Sequence, residues 1–380
     1  MNKQGGSRNW WRLVVGVPVA IVVVSGVVWS GLWWWAAGTG ERTMAAWRDR
    51  EARAGRVYDC ATTSFSGFPL RLTVTCGGPS VDEKGAGVSM RAKSLSAVSE
   101  VFEPTVVSGE IDAPVTMGPF GGAPAASLGF GKAHASLHAM PGGERVTVAV
   151  EQPVLTAVPA GTTLATAEGT EMQSRFNTDG ADGHPVLELE LDTHGVKVPG
   201  AARELGRLGP LAADGTDMSV AAQLHGLSRM TLKPLSQQLR EIQAAGGRLE
   251  ITRARMQQGE LIVAATGTLT LTERGTLDGD LQLTVVDLSR LFALLDLERM
   301  LPREVREVNR FVPALDRLLP GLGGAMRGAE AQGIAEAGIS ALGGKSIEFE
   351  GKKAYVMPLH FADGAAHLGR IKVGEVPPLF

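Results

Sequence analysis

The segment Tyr58-Asp-Cys-Ala-Thr-Thr-Ser-Phe-Ser-Gly-Phe-Pro-Leu-Arg-Leu-Thr-Val-Thr-Cys76 carries both cysteines of the chain. Its two arms are rich in β-branched residues, and Ser66-Gly-Phe-Pro69 between them is typical of a turn. We therefore predict a β-hairpin folded about Phe68, with Cys60 directly opposite Cys76. Directly opposed Cβ atoms lie about 4.5–5.5 Å apart, which is close to the separation that a disulfide requires.

Two unpaired, buried cysteines that pack as small hydrophobic residues are the alternative to a disulfide between Cys60 and Cys76. The symmetry of the pair about the turn, and the absence of any further cysteine, favour the bridge. Disulfides persist in the bacterial periplasm and are rare in the cytosol. The hairpin therefore predicts that this part of the chain lies outside the cytoplasm.

An uncharged apolar run from Leu13 to Ala37 precedes the hairpin. A helix rises about 1.5 Å per residue, so a helix of this length extends roughly 37 Å and can cross a hydrocarbon core of about 30 Å. Indole side chains prefer the membrane–water interface, and all seven tryptophans lie in the first 47 residues. The tryptophans predicted to mark the two membrane interfaces are Trp10, Trp11, Trp33, Trp34 and Trp35.

The apolar run is too long for the core of a cleaved signal peptide, which has about 7–15 residues. Ala36-Ala37-Gly38 offers a weak cleavage site, so a cleaved signal is the alternative to an anchor. We predict a retained anchor. Its parts are a cytoplasmic N-terminus over residues 1–12, a transmembrane helix over 13–37 and a helical linker over 38–56.

Positive charges on both sides of the span leave its orientation open. Lys3, Arg8 and Arg12 precede the span without an acidic residue, which favours a cytoplasmic N-terminus, but further arginines follow it. Large domains are exported despite such charges. Together with the predicted disulfide, the sequence indicates a single-pass inner-membrane protein whose main domain lies in the periplasm.

The rest of the chain is dominated by strand patterns. Residues 145–150 and 187–191 alternate apolar and other side chains with a period of two, as half-buried strands do. Glycine accounts for 49 of 380 residues and aromatic residues for 5%, which favours many short strands around an aliphatic core. We predict a β-rich periplasmic lobe over 57–199 and a second β-rich lobe over 217–380.

Three helices are expected in the second lobe, at 232–245, 288–319 and 325–342. Apolar residues recur at helical spacing in the first, and the second has a leucine-rich face. That face would either cover a sheet, the usual position of such a helix, or line a groove for acyl chains. The predicted fold class is α+β, mainly β: curved antiparallel sheets covered by a few amphipathic helices.

Charge and motifs exclude several classes of function. The net charge is −3, and no basic stripe or stacking aromatic residues indicate nucleic-acid binding. His134 and His138 have a metal-binding spacing for a helix, but on the predicted strand they would lie about 13 Å apart. Ser340 lacks the second glycine of a nucleophile elbow. We therefore predict no enzyme activity, no catalytic residue, no metal and no cofactor.

The hairpin motif Ser66-Gly-Phe-Pro-Leu-Arg71 and the tail Gly374-Glu-Val-Pro-Pro-Leu379 resemble the family known as domain of unknown function 2125, Gram-negative envelope proteins. The resemblance covers nearly the whole chain and implies no activity that can be transferred. More loosely, the segment 267–285 is similar to strands of the AsmA-like envelope proteins, which are linked to lipid handling and outer-membrane assembly. A fold-level analogy of this kind does not carry function. The family-motif residues are Gly67, Phe68, Pro69, Arg71, Gly374, Pro377 and Pro378.

Within the hairpin motif, Arg71 is expected to pair with a carboxylate or to cap the hairpin. Phe68 and Pro69 are expected to fill a corner of the core near the membrane. These side chains are therefore interpreted as structural.

These observations favour a non-catalytic, inner-membrane-anchored periplasmic protein that binds a lipid or another hydrophobic envelope component. The alternative is a scaffold or assembly protein that acts through protein–protein contacts, and an envelope hydrolase is a remoter one. The expected partners are membrane lipid, a hydrophobic ligand or an envelope protein. A closed core without an apolar cleft would argue against lipid binding.

Overall fold

A computed structural model describes residues 7–178, 180, 184–199, 214–227, 235–287, 344–369 and 371–380. Within the N-terminal helix, the surroundings of side chains are described from Val17 onward, apart from Ala36 and Ala37. The described residues are mostly β-strands in antiparallel ladders, with one long apolar helix at the N-terminus. The mainly β part of the predicted fold class is therefore confirmed.

The helix α1 (Ser7–Arg53) comprises the predicted span and the predicted linker without a break. Its segment Val17–Arg53 is long and apolar enough to cross a membrane, with a window of mean hydropathy 1.8. None of that window is buried inside the protein. Exposed apolar side chains of this kind are unfavourable in water, so the composition of α1 matches a lipid environment.

Residues Met1–Ala123 form one compact unit, which contains α1 and six strands. In this unit β2 pairs with β1, β3 and β4, while β4 also pairs with β5 and β3 with β6. The strands are β1 (Arg56–Ser66), β2 (Arg71–Glu83), β3 (Val88–Arg91), β4 (Ser94–Glu100), β5 (Glu103–Ile111) and β6 (Val115–Pro119).

Residues Pro124–Phe380 form the second compact unit. Its described helix is α2 (Leu235–Ala244), which confirms a helix near 232–245. Its described strands are β7 (Ala126–Gly129), β8 (Lys132–Met140), β9 (Gly143–Glu151), β10 (Val154–Ala157), β11 (Thr163–Thr166), β12 (Gly169–Asn177), β13 (Val186–Val196), β14 (Thr216–His225), β15 (Arg248–Gln258), β16 (Leu261–Leu271), β17 (Leu277–Val286), β18 (Lys345–Phe349), β19 (Lys352–Ala362), β20 (Ala365–Leu368) and β21 (Ile371–Glu375).

The principal ladder of the second unit runs in the order β8, β9, β12, β13, β14, β15, β16, β17 and β19, with every pair antiparallel. β18 and β20 both pair with β19, and β21 pairs with β20. A shorter ladder joins β10 to β7 and β11. Most connections are therefore between strands that follow one another in the chain.

The predicted boundary between lobes at 199–217 is not where the chain divides. β13 and β14 flank that segment and pair along their length, for example at Leu191 and Val220. The two compact units divide instead between Ala123 and Pro124. The strands on either side of the Ala/Gly-rich segment share a continuous ladder and belong to one sheet.

Several predicted strands are confirmed. The alternating segments 145–150 and 187–191 lie in β9 and β13, and the segment 267–285 lies in β16 and β17. The helices predicted at 288–319 and 325–342 lie outside the described residues, so their amphipathic packing stays a prediction.

The best-packed part of the second unit lies on β16, β17 and β19. Leu261, Val285, Ala354 and Met357 are each 0% exposed. A second cluster contains Leu269, Leu281, Phe361 and Ala366. Aliphatic side chains dominate this core, as the low aromatic content predicts, and close packing of such chains stabilises a sheet through burial.

Candidate functional site

The predicted disulfide is present, with the Cα atoms of Cys60 and Cys76 5.4 Å apart. The predicted register of the hairpin is wrong, because Cys60 pairs with Pro79 and Cys76 pairs with Thr63. Gly78, between the paired positions, has a φ of +58°. The two cysteines are therefore not directly opposed in the ladder, and the left-handed backbone at Gly78 lies next to their disulfide.

The register differs because the turn lies further along the chain than Phe68. The amide of Arg71 donates a hydrogen bond of 2.9 Å to the carbonyl of Gly67 and closes the turn. Gly67 has a φ of +103°, and a Cβ there would lie 2.8 Å from the Arg71 carbonyl oxygen. Glycine is therefore required at this position, since a side chain would meet backbone.

The hairpin of β1 and β2 runs back along α1. Beyond the end of α1 at Arg53, the Arg56 guanidinium bonds the Glu51 carboxylate at 2.7 Å. The ring of Trp47 packs against Tyr58 with their centroids 4.7 Å apart. The chain reverses between α1 and β1, so the hairpin tip points toward the apolar part of the helix.

The ion pair of Glu51 and Arg56, with Tyr58 beside it, forms a clamp near the end of α1. This clamp is the buried, charged part of the contact between the hairpin and α1. The hydrogen bond that the Arg56 guanidinium donates to the Glu51 carboxylate raises the pKa of Arg56 above its ordinary value. Burial, reinforced by the charge of Glu51, raises the pKa of the Tyr58 phenol. Both groups therefore keep their ordinary charge at neutral pH, and the clamp is structural rather than a site of proton transfer.

At the other end of the contact, the hairpin tip lies on the apolar part of α1. The indole N–H of Trp29 donates to the Pro69 carbonyl at 2.9 Å, and that of Trp33 donates to the Arg71 carbonyl at 3.0 Å. The rings of Trp33 and Phe68 meet edge to face, with centroids 5.6 Å apart. These indoles fix the family motif against the predicted span.

Phe68 does not fill a corner of the core as predicted, because its side chain is 51% exposed and Leu70 beside it is 50% exposed. The ring of Trp33 on α1 contacts one side of Phe68. The side chain of Arg71 is also exposed and forms no ion pair within the described part of the chain. Arg71 closes the turn through its backbone amide instead.

A second turn lies beside the hairpin tip. The amide of Val101, between β4 and β5, donates to the Leu70 carbonyl at 3.0 Å. Phe102 is 75% exposed and Val101 is 37% exposed. Between the first tip and the helix is an open, apolar cleft of about 740 Å³, lined among others by Val23, Gly26, Val27, Trp29, Phe68 and Pro69.

The predicted interface tryptophans divide into three groups. Trp34 and Trp35 are 71% and 66% exposed, as expected of side chains that meet lipid. Trp33 is partly buried under the hairpin tip. The side chains of Trp10 and Trp11 lie outside the described residues. Sequence reasoning missed Trp29, whose position inside the apolar run gave no sign of its bond to the hairpin.

The second unit presents a mainly apolar face across β8, β9, β12, β13 and β14, which Glu144, Thr170, Ser174 and Thr193 interrupt. Residues paired directly across strands share a face of the sheet. The pairing therefore brings the alternating leucines of β13 together with apolar side chains of the other four strands. The members of this apolar face are Ala135, Leu137, Val146, Val148, Met172, Phe176, Leu187, Leu189, Leu191, Met218, Val220, Ala222 and Leu224.

One end of the apolar face is packed and the other is open. Leu187 and Phe176 are each 7% exposed. Leu137, Met172 and Leu191 are each 38% exposed, and Met218 is 41% exposed. Met172, Leu191 and Met218 lie on the consecutive strands β12, β13 and β14 and form an exposed patch, whereas Leu137 lies two strands away from β12 on β8.

The opposite face of the same strands is polar. It carries Glu188, Glu190 and Asp192 of β13 beside side chains such as Gln173 and Arg175 of β12. A depression of about 440 Å³ on these strands has charges of both signs, including Arg145 and Glu188. Mixed charges at the surface are typical of a solvated sheet face and give no preferred ligand.

The remaining candidate residues form no site. His134 and His138 both lie on β8, as predicted. An extended strand holds residues at this spacing about 13 Å apart, too far for one metal ion. His360 bonds Asp280 at 2.8 Å on an exposed surface. Among the described residues, no group of three or more His, Cys, Asp or Glu side chains could hold a metal ion. Ser340 lies outside the described residues.

The C-terminal motif packs onto the second unit. Gly374 lies in β21, whereas Pro377 and Pro378 follow it and are exposed. The amide of Val376 donates to the Gly364 carbonyl at 2.8 Å, and that of Leu379 to Gly275 at 2.9 Å. These bonds tie the tail to two turns of the sheet, so its motif is structural.

The model of a family of uncharacterised proteins conserved in bacteria, DUF2125, matches residues 33–377. The chain belongs to this family. The DUF2125 match begins at Trp33 and takes in the hairpin motif, the apolar face and most of the tail motif. No curated protein sequence matches the chain. These findings do not extend to the AsmA-like proteins, so that similarity stays an expectation.

Proposed function

We propose that this DUF2125 protein is a membrane-anchored, non-catalytic periplasmic protein that holds the acyl chain of a lipid on the apolar face of its second unit. The observation that carries the proposal is the open end of that face. There, Met172, Leu191 and Met218 on the consecutive strands β12, β13 and β14 each leave more than a third of their surface exposed. Soluble proteins seldom leave such a patch uncovered, and a bound apolar chain would cover it.

The chemistry of the apolar face suits an acyl chain. Apolar surface removed from water stabilises a complex by about 25 cal/mol per Å², without any directional partner. Methionine side chains such as Met172 and Met218 adapt their shape to a flexible ligand. The polar face on the other side of the strands keeps the sheet solvated, so a lipid would bind to one face alone.

The disulfide and α1 support the proposed location. A bridge between Cys60 and Cys76 persists in an oxidising compartment such as the periplasm. α1 supplies a helix of membrane-spanning length. With the N-terminus in the cytoplasm, alkaline phosphatase fused after Phe380 should be active, since it folds only under oxidising conditions. A fluorescent cytoplasmic reporter at the same position should be dark, and the reverse result would contradict this orientation.

Site-specific photo-crosslinking in intact cells tests the lipid proposal. A photoreactive phenylalanine analogue is placed at Leu191 or Met172 on the apolar face, and at Gln173 or Glu190 on the polar face as matched controls. We expect an adduct of lipid mass at the first two positions only. The controls share the strands β12 and β13, so they report on the face rather than on the region.

Other adducts would decide against the proposal. A crosslink from Leu191 to residues 288–319 of the same chain would make the apolar face part of the core. An adduct of protein mass at Leu191 would favour an assembly or scaffold role instead. The absence of any adduct at both apolar positions would also contradict lipid binding.

A matched pair of charge substitutions provides an independent measurement. Leu191→Glu places a carboxylate on the apolar face at an exposed position, whereas Gln173→Glu adds the same charge to the polar face. Burying an unpaired carboxylate under an acyl chain is costly, so L191E should lower capture of a photoreactive lipid by about tenfold or more. Q173E should leave capture nearly unchanged, and equal effects would argue against a face-specific site.

A further inference from the structure

We propose that the tips of two hairpins in the first unit insert into the interface of the same bilayer that α1 spans. The tip cluster consists of Phe68 and Leu70 at the turn of β1–β2, and Val101 and Phe102 at the turn of β4–β5. This surface belongs to the first unit and is separate from the apolar face assigned to acyl-chain binding.

The indole bonds fix the tip cluster at the depth of the membrane. Trp29 and Trp33 bond the first tip at Pro69 and Arg71. At about 1.5 Å per residue, Trp33 lies roughly 6 Å and Trp29 roughly 12 Å inside the apolar run that ends at Ala37. A tip held at these positions cannot be in bulk water when α1 spans the bilayer.

The side chains of the tip cluster suit that depth. Phe102 is 75% exposed, Phe68 51%, Leu70 50% and Val101 37%. All four are apolar, they project from two turns joined by the Val101–Leu70 hydrogen bond, and two are aromatic. Phenylalanine and leucine side chains on membrane-surface elements are buried at the boundary between headgroups and acyl chains. The same four exposures are unfavourable in water, and lipid would remove them.

Charges around the tip cluster indicate that the contact is with the apolar part of the lipid rather than with anionic headgroups. The exposed Arg71 lies opposite Glu100 in the ladder, and Glu100 pairs with Glu103 across the second turn. One cation beside two carboxylates gives no attraction to an acidic membrane surface. Insertion should therefore occur in neutral phosphatidylcholine.

The first unit supplies a matched control at its other end. Phe120 follows β6, is 46% exposed, and its amide donates to the Gly87 carbonyl. Gly87 belongs to the turn between β2 and β3, and the neighbouring Lys84 bonds Gly55 just beyond α1. Phe120 is thus an exposed phenylalanine near the end of α1 that lies away from the predicted span.

The experiment uses the full chain in phosphatidylcholine vesicles, with an environment-sensitive fluorophore on Phe102→Cys or, in a separate sample, on Phe120→Cys. The native cysteines are joined to each other and do not take the label. For Phe102→Cys we expect blue-shifted emission that spin-labelled phosphatidylcholine quenches to less than half. For Phe120→Cys we expect emission as in water and little quenching.

Equal emission and equal quenching at the two positions would overturn the proposal. Val101→Cys serves as a second labelled variant that retains Phe102, in case loss of the phenylalanine itself prevents insertion. Quenching that requires anionic lipid would overturn the apolar contact in favour of headgroup binding. Because the purified chain and lipid are the sole components, shielding by another protein cannot produce the expected result.

Discussion

The hairpin of β1 and β2 and the strands β16, β17 and β19 are held in place by different kinds of interaction. In the hairpin, Arg56 and Cys76 are the buried residues. Its position depends on a disulfide, on the charged clamp of Glu51 and Arg56, and on hydrogen bonds that two indoles of α1 donate to its tip. In the other strands, Leu261, Val285, Ala354 and Met357 are fully buried, and packing is spread over many contacts.

The difference shows that one antiparallel ladder can depend on a few point contacts while another depends on a packed core. Burial stabilises in proportion to apolar area, whereas a covalent bridge acts by restricting the unfolded chain. The hairpin should therefore respond to reduction and to changes in α1, and the core strands should respond to changes of side-chain volume.

The largest effect is expected from Met357→Ala in the packed core. Removing a fully buried side chain leaves a cavity and should lower the free energy of unfolding of the second unit by about 2–5 kcal/mol. Met218→Ala, at a position that is 41% exposed, is the matched control and should cost far less. Denaturant unfolding measures both, and similar losses would show that β19 is not the packed part.

Cys60→Ser should lower the free energy of unfolding of the first unit by roughly 2–4 kcal/mol, since it removes a loop-closing bridge. Amide hydrogen exchange should show faster exchange in β1 and β2 and unchanged exchange in β16 and β17. A melting curve that is the same under oxidising and reducing conditions would contradict the importance of the bridge.

Trp33→Phe tests the indole contacts of the hairpin. The substitution keeps a ring against Phe68 but removes the donor to the Arg71 carbonyl, which should cost about 0.5–1.5 kcal/mol. Trp34→Phe is the control, because Trp34 is 71% exposed. The measurement is hydrogen exchange of the hairpin amides in lipid. Equal exchange in the two variants would mean that the bond does not hold the tip.

The smallest effect is expected at the ion pair of Arg255 and Glu350, which joins β15 to the turn after β18. Hydrogen bonds from Arg255 lower the pKa of the Glu350 carboxyl. The ion pair therefore adds to the free energy of unfolding above the ordinary carboxyl pKa. This contribution is lost as the pH falls through the lowered pKa of Glu350. The pair is exposed, so Glu350→Gln should cost less than about 0.5 kcal/mol.

The pH dependence of unfolding checks this last prediction. Glu350→Gln should flatten the acid limb of the stability profile slightly, whereas Glu348→Gln on the preceding strand β18 should not. A larger loss at neutral pH than that from Trp33→Phe would place this pair among the principal stabilising contacts.

Local signals in the sequence were sufficient for the long apolar helix, the two hairpin arms, the disulfide partners and strands such as β9 and β13. Composition and short-range periodicity determine these elements, since each depends on neighbouring residues. The turn at Gly67 was located only approximately. A shift of the turn changes every cross-strand partner, which is why the register predicted for Cys60 was wrong.

An apolar span, a cysteine-bridged hairpin and many alternating strands follow from composition and short-range patterns alone. The fold was needed to show that Trp29 and Trp33 hold the hairpin tip, that Phe102 lies beside it, and that β13 and β14 pair in one sheet. These features depend on pairs of residues far apart in the chain, and no local pattern specifies which distant backbone carbonyl an indole will meet.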